Sequence, residues 1–424
     1  MRLFSLKLRG WVAPANAFLQ FFAGESNAFW LDREHSQTSA FSVIGGGLPT
    51  TDLDQALWAV SQDDAGLPFE WRPGLVGYFE YEGKANFLRV DRAMVFDHKS
   101  RSVYLVGLFN SPEAFQHWCN AAFLRFGLIG GELASYRLKH EQTKPEISSR
   151  LRHDAGGYLQ MILEAQQHIS AGDVYQICLT NEIELQHNLD PLAVYLNLRE
   201  LNPAPYAAFI RINDVSVVCS SPEQFIRVSS KGVISTKPIK GTRPRGLDAH
   251  TDAANAEELR SNEKERAENL MIVDLMRNDI GKVAKPDSVR VPKLFEIESY
   301  ATVHQLVSTV EADLAEGESA VSALLAAFPG GSMTGAPKSK AMEIIANLEA
   351  GSRGVYSGAI GYFGFNGSAD FGMTIRTVVF QGGKASIGVG GGITSDSDPL
   401  AELEETKLKA KALLRALNAP DPWA

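Results

Sequence analysis

The chain has 424 residues, of which 45% are hydrophobic and 21% are charged, and its formal net charge is −9. This composition is ordinary for a soluble globular enzyme, and the acidic balance argues against a general nucleic-acid or membrane-binding surface. The sequence has no run of about 18 apolar residues, no signal-peptide pattern and no Cys-x-x-Cys pair, so we expect a cytoplasmic protein with reduced thiols.

Residues 1 to about 140 are predicted to form a β-rich part with a supporting or regulatory role. Short apolar runs at residues 28–31, 41–44, 75–79 and 102–108 indicate strands, because Gly, Pro and Asp residues bound them. Residues 110–126 have helical periodicity. The polar span from Lys139 to Ser149 predicts a linker, and no catalytic constellation precedes it.

The second part, residues 150–424, is predicted to be the catalytic domain and to form one compact body with the first. Its pattern predicts a helix ending at Gly172, a strand over 174–185, a helix over 191–201 and a long, mostly helical segment over about 251–279. Two hairpins are expected, one over 207–220 and one over 225–236. Hairpins mixed with helices, without a βαβ rhythm, predict an α+β fold with antiparallel sheets.

The segment 236–246 combines four cations with a bend. Lys237 and Lys240 are an odd number of residues apart, so an extended backbone points them to opposite faces. Gly241 lets the chain turn, which presents one amine at the bend, with Arg243 and Arg245 near enough to hold anions. Taken alone, this segment is more often a solvated basic loop.

Two carboxylates are candidate partners for that amine. Glu223 begins the hairpin whose far end leads into Lys240, and because hairpin ends lie close together, both can face one pocket. Glu268 interrupts an apolar helical stretch, where a carboxylate is costly to bury unless it is paired or bound to a metal. A surface ion pair explains Glu268 equally well.

Three later segments have features of anion or metal sites. The Gly-rich turn at 328–338 enters a helix and leaves free N–H groups, and Arg376, expected on a strand, could bind a carboxylate beside the glycines of 389–393. A final helix capped at 396–399 has Glu402, Glu405 and Lys409 on one face. That spacing permits a metal site without proving one.

Together, four motifs resemble the chorismate-utilising enzymes, which include anthranilate, aminodeoxychorismate, isochorismate and salicylate synthases. They are Lys-Pro-Ile-Lys-Gly-Thr-Arg-Pro-Arg-Gly at 237–246, Arg-Ala-Glu-Asn-Leu-Met-Ile-Val-Asp-Leu-Met-Arg-Asn-Asp at 266–279, Gly-Gly-Ser-Met-Thr-Gly-Ala-Pro-Lys at 330–338, and Asp-Ser-Asp-Pro followed by Glu-Glu-Thr at 396–406. The resemblance runs in order from about 150 to 412 and is looser before residue 140. It implies large antiparallel β-sheets packed as a sandwich with helices outside.

Single positions favour one branch of this family. Lys240 is typical of aminodeoxychorismate synthases, whereas anthranilate synthases resemble this chain but have Ala there and His in place of Gln305. Isochorismate and salicylate synthases have a water-activating Lys in place of Gln176. The resemblance therefore implies component I of an aminodeoxychorismate synthase, with component I of anthranilate synthase as the alternative.

The resemblance also implies a chemistry for these residues. Lys240 is expected to form a covalent adduct with chorismate, Glu223 to act as general acid, and Glu268 and Glu405, with Glu402 beside them, to hold Mg²⁺. The residues expected to bind substrate are Arg376, Tyr362, Ser332, Thr242, Lys409 and the amides of Gly390, Gly391 and Gly392. No Gly-x-Cys-x-Gly elbow of a glutaminase occurs, so a separate glutamine amidotransferase subunit is expected to supply ammonia.

Overall fold

The computed structural model describes residues 1–36, 40–53, 66–141, 147–300 and 303–424. The elements up to residue 151 are β1 (Arg2–Lys7), α1 (Pro14–Phe22), β2 (Asn27–Asp32), β3 (Phe41–Gly46), β4 (Leu48–Thr50), β5 (Gly74–Phe79), β6 (Ala85–Val90), β7 (Arg92–Asp97), β8 (Ser102–Phe109), α2 (Pro112–Phe126), α3 (Glu132–Glu141) and β9 (Ser148–Leu151).

The elements after residue 151 begin with a helix and end with a helix. They are α4 (Ala155–Ser170), β10 (Gln176–Gln186), α5 (Pro191–Leu201), β11 (Tyr206–Ile212), β12 (Val215–Ser221), β13 (Gln224–Val228), β14 (Val233–Thr236), β15 (Ile239–Pro244), α6 (Ala249–Ser261), α7 (Glu263–Gly281), β16 (Arg290–Ser299), β17 (Val303–Asp313), α8 (Ala320–Ala327), β18 (Gly335–Ala336), α9 (Lys338–Leu348), β19 (Ala359–Gly364), β20 (Ala369–Met373), β21 (Thr377–Gln381), β22 (Lys384–Ile393) and α10 (Pro399–Leu417).

The strands form two large antiparallel sheets, as the α+β prediction requires. The first has the order β1-β8-β7-β3-β2-β11-β12-β21-β22-β10-β18, with β9 on β10. The second has the order β15-β17-β14-β13-β20-β19-β5-β6-β4, with β16 on β17. Each sheet contains strands from both sides of the predicted linker, so the two parts of the chain share their hydrogen-bond ladders.

The two sheets pack face to face, with helices on the outside. Phe29 and Val43 of the first sheet share a buried cluster with Val76 and Leu88 of the second. On the outer face of the first sheet, α1, α2, α5 and α10 contribute to another cluster, and α7 and α8 pack on the second sheet. The predicted sandwich is therefore confirmed. Within the described ranges, no helix is both long and apolar enough to cross a bilayer.

The predicted elements are largely confirmed. The helix over 191–201 and both hairpins are present, and the three cysteines are buried free thiols. The segment over 251–279 is mostly helical, as predicted, and Asn262 divides it into α6 and α7. The Asn262 side chain accepts a hydrogen bond from the Glu265 amide at 3.1 Å, which caps α7 and ends the preceding helix.

The predicted linker is shorter than expected where the structure describes it. Residues 139–141 are the last turn of α3, and Ser148 and Ser149 belong to β9. Residues 142–146 lie outside the described residues.

Candidate active site

Lys240 lies in β15 and reaches a carboxylate of the neighbouring helix. Its Nζ is 3.4 Å from Glu268 Oε2, and the two side chains are only 15% and 13% exposed. Lys237 points away from this contact and donates to Glu298 at 2.7 Å. Opposite faces for the two lysines are therefore confirmed, and both side chains are partly buried, at 21% exposed for Lys237 and 15% for Lys240.

The bend after Lys240 depends on glycine. Gly241 has a φ of +80°, and an added Cβ would lie 2.9 Å from the carboxyl of Glu265. A side chain there would meet both backbone strain and the helix that holds Glu268. The bend predicted at this position is confirmed.

The prediction that Arg243 and Arg245 hold anionic ligands is wrong for the residues described. Arg243 pairs with Glu258 at 2.6 Å and with Glu265 at 3.2 Å, and Arg245 pairs with Asp252 at 2.7 Å. Because carboxylates of α6 and α7 already occupy both guanidinium groups, the two arginines fasten β15 to these helices.

Glu223 is a buried carboxyl with a strongly altered pKa. Burial raises its pKa to about 7, against the opposing effects of Ser332 and of the ammonium groups of Lys240 and Lys409. The Ser332 hydroxyl donates to Glu223 Oε1 at 3.0 Å from the short helical turn Gly331–Met333. A carboxyl that is half protonated near neutral pH suits a general acid.

The glycines of β22 form a bare surface beside Lys240. Gly392 lies opposite Cys178 of β10, and a Cβ added to Gly392 would be 3.0 Å from Lys240 Nζ and 2.7 Å from Gln176 Nε2. Gly391, with the opposite orientation, faces Glu402 and Lys409 instead. The side chains of Lys240 and Gln176 therefore pack directly on the backbone at Gly392, and the strand separates them from Glu402.

Helix α10 brings Glu405 and Lys409 to the same end of the sheet. Lys409 Nζ is 2.7 Å from Glu405 Oε1 and donates to the Gly390 carbonyl at 2.8 Å. Partial burial would raise the pKa of Glu405, but Lys409, together with Lys240 and Lys264, lowers it. Burial raises the pKa of Glu402, which accepts a hydrogen bond from Ser397 at 2.7 Å.

Glu268 and Glu405 are suitable ligands for an open Mg²⁺ site. Lys264 is 3.9 Å from Glu268 Oε1, and both Lys264 and Lys240 act electrostatically on Glu405, so the two carboxyls face common cationic neighbours. In the described ranges, no group of three or more His, Cys, Asp or Glu residues could hold a metal. Mg²⁺ usually needs only one or two carboxylates and takes water and substrate oxygens for the remainder. The chemistry of the two carboxyls suits Mg²⁺, and a metal site formed by this pair stays a prediction.

Arg376 was expected on a strand, and that position is wrong. It lies in the turn before β21 with a φ of +52°, a left-handed conformation that is uncommon for arginine. Its side chain is half-buried, and throughout the described part of the chain its guanidinium has no ion-pair or hydrogen-bond partner. Burial lowers the pKa of Arg376, against the effects of Tyr356 and Glu405. An unpaired, partly buried guanidinium near Glu405 is a ready site for a carboxylate.

The structure separates Tyr362 from this cluster, which corrects its expected place beside Arg376. Side chains alternate along β19, so Tyr362 lies on the face opposite to Ala359 and Phe363, which pack with Met333 and Tyr356. Tyr362 lines a different cavity of about 450 Å³, between the two sheets.

Tyr356 and Gln176 also lie near Lys240 and Gly392, but they were not among the residues predicted to bind substrate. The Tyr356 ring covers Gly388, where an added Cβ would be 2.0 Å from the ring, on the same face of β22 as Gly392. The alternate glycines 388, 390 and 392 were the available signal, because a bare strand face needs a large side chain or a ligand above it. Gln176 is buried beside Gly392, and its Oε1 has no partner in the described residues.

Thr242 lies two residues beyond Lys240 in β15, opposite Gln305 of β17. Its side chain is exposed, and none of the described contacts joins it to the cluster. Its expected role in substrate binding stays a prediction.

Comparison with known proteins agrees with this geometry. Residues 50–415 match the family described as chorismate binding enzyme. The chain is 45% identical over 395 residues to aminodeoxychorismate synthase of Streptomyces griseus, an alignment that covers 88% of this chain and 54% of that protein. It is 39% identical over 334 residues to aminodeoxychorismate synthase component 1 of Bacillus subtilis strain 168, covering 78% and 70%.

A solved structure also matches most of the chain. The crystal structure of anthranilate synthase component I from Streptococcus pneumoniae TIGR4 superposes with a TM-score of 0.75 at 28% identity, covering 97% of this chain and 92% of that one. The chain spans about half the length of the Streptomyces griseus relative. Because the family match and the Bacillus subtilis alignment both extend over most of the residues described above, the chain belongs to the chorismate-binding enzymes.

Proposed function

We propose that the chain converts chorismate and ammonia into 4-amino-4-deoxychorismate, as a step toward p-aminobenzoate and folate. The observation that carries this proposal is the placement of the Lys240 amine 3.4 Å from Glu268 and next to the bare backbone at Gly392. Lysine at this position is the feature that distinguishes the aminodeoxychorismate branch. The names of the Streptomyces griseus and Bacillus subtilis relatives support the same branch.

Substrate binding is assigned to the residues around Gly392. Arg376 would pair with a carboxylate of chorismate, because its guanidinium is partly buried and has no partner in the described residues. Glu268 and Glu405 would hold Mg²⁺, which would supply a Lewis acid for the ring carboxylate. Both assignments place the ring beside Lys240.

The reaction would proceed by two displacements. The lone pair of the Lys240 nitrogen forms a bond to the ring carbon ortho to the carboxylate, both conjugated double bonds of the ring shift, and the para C–O bond breaks. Glu223 donates its proton, so that the hydroxyl leaves as water. Ammonia then bonds the para carbon, both double bonds shift back, the C–N bond to Lys240 breaks and returns its electrons to the amine, and the new ammonium group gives a proton back to Glu223.

Ammonia would come from a separate glutamine amidotransferase subunit in the cytoplasm. The Bacillus subtilis relative is named as component 1 of its synthase. The present sequence has no Gly-x-Cys-x-Gly glutaminase elbow. Free ammonium should replace the partner at high concentration, which allows the chain to be assayed alone.

One assay tests the function. The purified chain is incubated with chorismate, Mg²⁺ and ammonium, and the product is identified by chromatography and mass spectrometry before and after treatment with an aminodeoxychorismate lyase. We expect the para isomer, p-aminobenzoate, after lyase treatment, and no consumption of chorismate when EDTA is present. Anthranilate, the ortho isomer, would instead identify an anthranilate synthase, and no turnover would leave only a binding role.

Arg376→Gln is expected to weaken chorismate binding. Loss of charge-assisted hydrogen bonds to a carboxylate should raise KM by roughly 10- to 150-fold with a smaller change in kcat. Steady-state kinetics at saturating ammonium measure both constants, with Arg211→Gln as control, because Arg211 binds backbone carbonyls near residue 25. A normal KM in Arg376→Gln would remove this residue from the substrate site.

A further inference from the structure

Glu349 and Arg353 form a buried ion pair just behind the candidate active site. Their side chains are 1% and 2% exposed, and the guanidinium binds both carboxylate oxygens, Nη2 to Oε1 at 2.6 Å and Nε to Oε2 at 2.8 Å. Neither residue touches Lys240 or Glu223 among the described contacts. The chemistry proposed above leaves the pair unused.

The pair also forms hydrogen bonds to the backbone of two separate segments, the 330–334 loop and β10. Arg353 Nη1 donates to the Met333 carbonyl at 2.6 Å, and Nη2 donates to the Cys178 carbonyl at 2.8 Å. Glu349 Oε1 accepts from the amide and the hydroxyl of Thr180 at 2.8 and 3.0 Å. The pair therefore joins the loop at 330–334 to β10 and adds to the direct hydrogen bond that the Cys178 amide donates to the Thr334 carbonyl at 2.8 Å.

The 330–334 loop and β10 each lie next to a different part of the candidate active site. Met333 follows Ser332, whose hydroxyl holds Glu223. Cys178 and Thr180 lie opposite Gly392 and Gly390 in the strand pairing of β10 with β22. A change in the spacing between Met333 and Cys178 would consequently move the Glu223 side relative to the bare backbone next to Lys240.

Stability alone gives little reason for such a pair. Removing two charges from water is costly, and replacing a buried pair by apolar residues of similar volume is often neutral or stabilising. Removing one partner, by contrast, leaves a buried charge without compensation. The multiple backbone contacts of Glu349 and Arg353 suit a part that fixes geometry.

We propose that Glu349 and Arg353 are a positioning pair, which clamps the 330–334 loop against β10 and so sets the position of the Ser332 hydroxyl, which holds Glu223, relative to the bare backbone at Gly392. This inference rests on the proposed function for its kinetic consequences. The clamp itself is a property of the loop and can be measured without substrate.

The test replaces both members, so that no lone charge stays buried. In the double variant Glu349→Leu with Arg353→Met, we expect a folded protein with a lower thermal midpoint, because the carbonyls of Met333 and Cys178 and the amide of Thr180 lose buried hydrogen-bond partners. We expect kcat to fall about 100-fold, as for a small misplacement of reacting groups, with KM within about threefold. Hydrogen–deuterium exchange should become faster at the Met333 and Thr334 amides, which are bonded to Gly330 and Gly331 in the wild type.

A matched control is the pair Asp32–Arg199, at 2.9 Å, which joins β2 to α5. Asp32→Leu with Arg199→Met should leave kcat and the exchange of the 330–334 loop unchanged. If the Glu349–Arg353 double variant does not fold, Arg353→Lys replaces it. Lysine keeps the positive charge beside Glu349, but its single ammonium group cannot bind the Met333 and Cys178 carbonyls as the planar guanidinium does. Arg353→Lys should therefore show the same fall in kcat.

The outcomes separate this inference from the proposed function. A folded double variant with wild-type kcat overturns the positioning role while the function stands. If the wild-type chain does not convert chorismate, the function fails, and the exchange measurement alone decides: unchanged exchange at 330–334 overturns the clamp, and faster exchange supports it.

Discussion

Replacing Lys240 by methionine is expected to slow formation of 4-amino-4-deoxychorismate by roughly 10³- to 10⁶-fold, the range for loss of a covalent nucleophile or of proton transfer. Methionine keeps the length and apolar stem of lysine, so packing against β22 should persist. The amine is lost, and with it the only proposed bond between protein and substrate. Rates with chorismate, Mg²⁺ and ammonium measure the effect.

The wild-type adduct gives a second, independent measurement of the same step. Without ammonia, the lysine-bound intermediate has no second nucleophile and should accumulate. Its mass is that of protein plus chorismate less one water, and peptide mass spectrometry should locate it on Lys240. An adduct on any other residue would contradict the mechanism even if Lys240→Met were inactive.

Lys237→Met is the matched control for this prediction. Lys237 lies three residues earlier on the same segment, but it faces the other way and pairs with Glu298 at 2.7 Å. Its loss should change the rate by no more than about threefold, since a partly exposed ion pair contributes little. Equal losses in the two variants would show that the basic segment acts through charge alone.

The sequence correctly predicted the positions of residues that are set by their near neighbours in the chain. The odd spacing of Lys237 and Lys240 correctly placed one amine inward, and the hairpin from Glu223 correctly brought a carboxyl within electrostatic reach of Lys240. The capping pattern before Pro399 predicted α10, where Asp398 accepts from the Ala401 amide at 2.8 Å. Such features follow from strand alternation and helix caps, which neighbouring residues decide.

The errors concern positions that distant parts of the chain decide. Arg376 was expected in a strand, but β20 ends at Met373 and the turn holds Arg376 at positive φ. Arg243 and Arg245 were expected to be free for ligands, whereas acidic residues of α6 and α7 bind them. Tyr362 was expected to bind substrate, but sheet packing turns it away from the site and brings Tyr356 near it. No local pattern contains that information.

Glu223→Gln is expected to lower kcat about 10²- to 10⁴-fold, the usual contribution of a general acid. Glutamine keeps the shape and can still accept the hydrogen bond from Ser332, but it has no proton to give to the leaving hydroxyl. The wild-type rate should also fall as the pH rises through about 7, where Glu223 loses its proton. The residual rate of the variant should lack this step.

Although Glu223→Gln should lower kcat, it should raise the free energy of unfolding at high pH. This contrast separates the loss of a proton donor from damage to the fold. Burial raises the pKa of Glu223 from 4.5 to about 7, so the folded state binds the proton more tightly than the unfolded state. The stability from this proton is complete below pH 4.5 and is lost as the pH rises to about 7. Glutamine does not titrate, so at pH 8 the variant should be more stable than the wild type by roughly 3 kcal/mol.

Urea unfolding of both proteins between pH 5 and pH 8 measures this difference, with Glu318→Gln as an exposed control whose effect should not vary with pH. A difference between Glu223→Gln and wild type that stays constant with pH would mean that the carboxyl does not titrate in this range, and Glu223 could not then act as the acid. If the difference in unfolding free energy grows with pH and kcat also falls strongly in Glu223→Gln, one property of Glu223 accounts for both results. The same burial that destabilises the ionised carboxyl keeps it protonated for the reaction.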